Sequence, residues 1–80
     1  MSLRSELSAL FGTSTLHQAE RIEPDQVDAL AVKEAAGALL RLKGQPEEQA
    51  ALVRTMAPET AAALCRWMAD PSFWGLVAGI

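Results

Sequence analysis

The chain has 80 residues, half of them hydrophobic, a net charge of −3 and a single cysteine. That hydrophobic share excludes a disordered chain, and the length allows one small helical domain, residues 1–80, with little margin of stability. The acidic balance and the lack of a basic cluster argue against nucleic acid as a partner, while Cys65 and His17 cannot supply an intrachain disulfide or a closed zinc site.

The first predicted helix runs from Ser2 to Phe11, sets Leu3, Leu7, Leu10 and Phe11 on one face, and stops at Gly12. Thr15 and Gln18 then have the spacing of a capping box, which predicts a short helix from Leu16 to Ile22, with a loop as the alternative there. The longest predicted helix spans Pro24 to Lys43, with Gly44 as its stop. Its large apolar residues Val27, Leu30, Val32, Leu39, Leu40 and Leu42 fall on several sides, the pattern of a central helix. Its Ala35-Ala36-Gly37-Ala38 run predicts close packing against a crossing helix rather than a ligand groove. Two further helices are predicted from Pro46 to Met56 and from Pro58 to Ala69, and a last one from Pro71 onward.

All four prolines stand where a helix can begin. Pro24, Pro46 and Pro58 are each followed by an acid, and Pro71 is preceded by one. Proline lacks the N–H that a first helical turn leaves unpaired, and the carboxylate complements the positive end of the helix dipole. Asp25, Asp28, Glu47 and Glu48 therefore read as helix-start chemistry rather than as metal ligands. Arg66 and Asp70 form the one opposite-charge pair spaced by four within a predicted helix. Stability must accordingly come from tertiary contacts.

Pro46-Glu47-Glu48-Gln49-Ala50-Ala51-Leu52-Val53-Arg54-Thr55-Met56 recurs as Pro58-Glu59-Thr60-Ala61-Ala62-Ala63-Leu64-Cys65-Arg66-Trp67-Met68, a period of 12 residues. One such short helix cannot bury its own apolar face, so the repeat predicts helices that stack on neighbours. This pattern over residues 46–70 resembles the short-helix superhelix in the middle part of the flagellar rotor switch protein. It is also similar to the cytoplasmic N-terminal domain of a class of magnesium transporters. The resemblance implies an armadillo-like scaffold that works through protein contacts or domain movement. The rotor family docks partners through Glu-His-Pro-Gln; the corresponding Gly44-Gln45-Pro46-Glu47 differs at three of four positions, so that role is not carried over.

No catalytic constellation is present. Cys65 follows Ala61-Ala62-Ala63-Leu64, an apolar setting that reads as a buried structural thiol. The five glycines are isolated from one another and form no phosphate loop. No apolar run reaches the length of a membrane span, and residues 1–6 lack the apolar core of a signal peptide, so a cytoplasmic setting is expected.

The C-terminal segment carries every aromatic residue except Phe11: Trp67, Phe73 and Trp74, followed by Leu76, Val77 and Ile80. These rings can close the core, or part of this surface can be a binding patch, since tryptophan is enriched among interface anchors. The expectation is an all-α domain of five or six short helices in a compact armadillo-like bundle, with no metal and no cofactor. Its expected role is that of a non-catalytic protein-interaction module binding through Trp67, Met68, Phe73, Trp74, Leu76, Val77 and Ile80. A self-associating homodimer using the same surface is the alternative, and a thiol enzyme built on Cys65 is a third reading.

Overall fold

Four helix starts are marked by Gly12, Asp28, Pro46 and Pro58. A computed structural model describes residues 3–78, with side chains for residues 5–77; Ser2, the side chain of Leu3, and Ile80 lie outside this range. Six α-helices and one 3-10 turn follow in order: α1 (Leu3–Phe11), α2 (Thr13–Arg21), the turn Pro24–Gln26, α3 (Ala29–Arg41), α4 (Pro46–Thr55), α5 (Pro58–Ala69) and α6 (Ser72–Ala78). The fold is an all-α bundle, with no strand among the described residues.

Gly12 separates α1 from α2 by adopting φ +90°, a conformation that glycine takes without the Cβ clash of other residues. The Gly12 carbonyl accepts the first helical bond from the Leu16 N–H (3.1 Å), so α2 begins at Thr13, ahead of the Thr15–Gln18 spacing. The capping box expected there is not used. A capping box forms instead between Glu23 and Gln26, where the Glu23 N–H donates to Gln26 Oε1 at 3.1 Å.

The long helix expected from Pro24 to Lys43 is broken. Pro24 starts only the 3-10 turn, Val27 and Asp28 are extended, and α3 starts afresh at Ala29. Asp28 is its N-cap: one carboxylate oxygen accepts from the N–H groups of Leu30 (3.1 Å) and Ala31 (3.2 Å). Those two bonds satisfy donors that a helix start leaves open. Pro46 and Pro58 do begin α4 and α5, as expected.

The centre of the bundle is α5, not α3. Ala61, Ala62, Ala63, Leu64 and Cys65 are consecutive and all buried, so the helix is covered on every side over this stretch. Their small side chains let α1, α2 and α3 approach closely, and α6 folds back onto the same helix. Leu7, Phe11, Leu16, Val32 and Phe73 complete the core around it, and among the described residues no charged side chain is buried.

The repeat helices occupy unlike places. Whereas α5 touches four helices, α4 leans chiefly on α1, and Val53 is its one buried residue. Ala51 is exposed while its counterpart Ala63 is 1% exposed. Of the Ala35–Ala38 run, Ala35 and Ala36 pack against the core. A Cβ added at Gly37 would meet nothing within 4 Å.

Candidate functional site

The predicted C-terminal patch divides among three settings. Phe73 is core: it is 2% exposed, and the Arg66 guanidinium lies 5.1 Å over its ring. It therefore drops out of any exposed face. Trp67 and Trp74 are half-buried and stack on each other, with ring centroids 4.6 Å apart and planes 19° from parallel. The break at Asp70-Pro71 brings them together: the Asp70 N–H bonds back to the Arg66 carbonyl (2.8 Å), and the N–H groups of Phe73 and Trp74 donate to Asp70 and Pro71. Val77 packs partly against the core. Met68 and Leu76 are the members that face solvent, at 42% and 68% exposure.

Met68 and Trp67 do not form a patch with α6 alone. They line one wall of an apolar groove of about 530 Å³ whose other wall is α3, with Ala36, Leu39 and Leu40. Leu64 and Leu39, both buried, form its floor. Leu40 stands on the α3 wall at 72% exposure. Among the described residues, Lys43 is the one ionisable residue that lines the groove. Gln49 reaches in from α4, and its amide donates at 3.2 Å to the Leu39 carbonyl, which also accepts from the Leu42 N–H (3.1 Å) at the end of α3.

Sequence reasoning missed the α3 wall. Val32 and Leu39, seven residues apart, mark the buried stripe of α3; Leu30 and Leu40 fall off that stripe and are exposed. Apolar residues on several sides of α3 were a sign of exposed leucines, not of a central position. Arg66, which the sequence offers no partner beyond Asp70, also bonds the end of α2. Its Nη1 donates to the carbonyls of Ala19 (3.2 Å) and Glu20 (3.3 Å), and its Nε lies 3.9 Å from Asp70.

Cys65 is fully buried, and burial pushes its thiol pKa up, with the negative charge of Glu20 adding to the shift. His17 lies on the solvent side of α2, away from the core face that covers Cys65. A thiol held neutral and without an imidazole beside it is a poor nucleophile. Among the described residues no three His, Cys, Asp or Glu side chains converge as a metal site requires. No described helix is long and apolar enough to cross a membrane. No family model, curated protein or solved structure matches the chain.

Proposed function

We propose that this protein is a non-catalytic interaction module, an adaptor or small subunit of a larger assembly, that takes its partner in the groove between α3 and α5. The observation that carries the reading is the pair of exposed apolar side chains, Leu40 and Met68, standing on opposite walls above a floor of buried leucine. Large apolar side chains held in water around a concavity are the material of interface anchors. Trp67 adds a rigid wall, because its stacking on Trp74 holds the ring in place. The binding surface thus keeps Trp67 and Met68 from the C-terminal patch and gains Leu40 from α3.

The test is the double variant Leu40→Asp with Met68→Asp. Both positions are exposed, so far-UV circular dichroism is expected to be unchanged. Cross-linking in cells is expected to recover a partner with the parent protein and with Ala51→Asp, but not with the double variant. Equal recovery by all three would sink the proposal. Light scattering across a wide concentration range tests the homodimer: a dimer lost in the double variant assigns the groove to a second copy.

A further inference from the structure

We infer that α4 is a strap that opens by itself while the other helices stay folded, and that its opening joins the α3/α5 groove to a second hollow beside α1. Burial sets α4 apart. Val53 is its one buried residue, and Leu52 is only partly covered. By contrast α1 buries Leu7 and Phe11, α2 buries Leu16 and Ala19, and α3 buries Val32 and Leu39. The short α6 is held through Phe73 under Arg66 and through the stack of Trp74 on Trp67. Among the described residues, the one side-chain hydrogen bond from α4 to another helix runs from the Gln49 amide to the Leu39 carbonyl. Breaking it strands no acceptor, because that carbonyl keeps the Leu42 N–H and the Gln49 amide passes to water. An element with so few buried contacts opens at less cost than the whole fold.

The backbone permits such a motion at both ends of α4. Pro58 has no N–H to bond back into α4, and Met56 and Ala57 before it are extended. The first bond of α5, from the Ala61 N–H to the Ala57 carbonyl (3.0 Å), therefore does not need α4 in place. At the other end the turn after α3 closes on α3 itself, with the Gln45 N–H on the Leu42 carbonyl (2.9 Å). Gly44, at φ +85°, supplies a joint there. The place of α4 gives the motion a consequence. Leu10 lines both the α3/α5 groove and a hollow of about 430 Å³ between α1, α4 and α5. Gln49 borders the first, Ala50 and Val53 border the second, and α4 is the ridge between them. With α4 lifted, Leu10 and Phe11 floor one continuous apolar cleft.

Native-state hydrogen exchange of the whole 80-residue chain, read amide by amide, tests the opening. Amides from Ala50 to Thr55 are expected to exchange at least about tenfold faster than those from Ala62 to Ala69. Below the unfolding transition, urea is expected to leave the α4 rates nearly flat while the α5 rates climb steeply. Cys65→Ala, which weakens the core away from α4, is expected to speed α5 exchange about tenfold and leave α4 unchanged. One shared rate and urea slope for both helices, or equal acceleration by Cys65→Ala, overturns the strap. If Cys65→Ala does not fold, the urea slopes of the parent decide. The joined cleft is read by iodoacetamide labelling of Ala61→Cys, a position 4% exposed on the wall of the second hollow. Its labelling is expected to keep pace with α4 exchange, while Cys65 in the parent labels only with global unfolding. Labelling of both thiols at the global rate means that α4 unwinds in place, and overturns the joined cleft. None of these readouts depends on which partner the groove takes, so their failure leaves the interaction reading to its own test.

Discussion

Arg54 and Arg66 hold the same place in the repeat, and their surroundings are opposite. The Arg54 side chain is exposed. That of Arg66 crosses from α5 to the end of α2, covers the ring of Phe73 and approaches Asp70. Two of its bonds go to carbonyls in the last turn of α2, where helices leave acceptors unpaired. Arg66→Ala therefore removes one partly buried and one exposed hydrogen bond together with a cation–π contact, and its expected cost is about 1–2 kcal/mol. Arg54→Ala is expected to stay within about 0.5 kcal/mol of the parent. Urea unfolding followed by circular dichroism measures both, and equal midpoints would remove Arg66 from the set of contacts that hold α2 in place.

At the scale of the element, the repeat is the instructive case, because two segments that agree at seven of eleven positions form one central and one peripheral helix. Nothing in the shared residues Pro, Glu, Ala, Ala, Leu, Arg and Met distinguishes the two. The difference lies at the variable positions, where Glu48 and Gln49 of α4 correspond to Thr60 and Ala61 of α5. Gln49 is used at its own place, on the end of α3, where alanine could make no bond. Ala61 is 4% exposed at a site where glutamine would bury an amide. The copies therefore answer differently to one enlargement. Ala63→Leu overpacks the centre and is expected to cost about 2–3 kcal/mol, whereas Ala51→Leu, on the exposed side of α4, is expected to change stability by less than about 0.5 kcal/mol. Thermal unfolding of the two variants decides it; matching losses would mean that α4 and α5 are equally covered.

For the whole molecule, a radius of gyration of 11.6 Å is that of a closely packed chain of this length, and one core joins all six helices. Global unfolding thus exposes Cys65, and the thiol makes stability depend on pH. In the unfolded chain it ionises near its ordinary value of about 8.5. In the fold, burial and then Glu20 hold it neutral to higher pH. The resulting stabilisation is complete below about pH 8.5 and is lost as pH rises from there through the raised folded value. Cys65→Ala is expected to be about 1–2 kcal/mol less stable at neutral pH and to lack this decline; urea midpoints measured from neutral to alkaline pH compare the two slopes. The groove belongs to this scale as well, since its walls come from α3 and α5 and its polar edge from α4.

The sequence by itself determined the helical class, the separation of α1 from α2 at Gly12 and the starts of α4 and α5. These are local matters: a proline without an N–H, a glycine free to take positive φ and an acid at a helix start act within one turn. Local chemistry was misread where two signals competed. Pro24 and Asp28 both start helices, and the carboxylate at Asp28, with two N–H groups to accept, begins the longer one. Of the predicted surface residues, Met68 and Leu76 are exposed and Phe73 is core. Only the tertiary structure decided which apolar residues are covered, because a helix with leucine on several sides does not state which side its neighbours will occupy. It alone placed Leu40 opposite Met68 and carried Arg66 to carbonyls 46 and 47 residues away. Those pairings depend on how α1, α2, α3 and α6 pack against α5, where the small side chains of Ala61, Ala62 and Ala63 allow close approach.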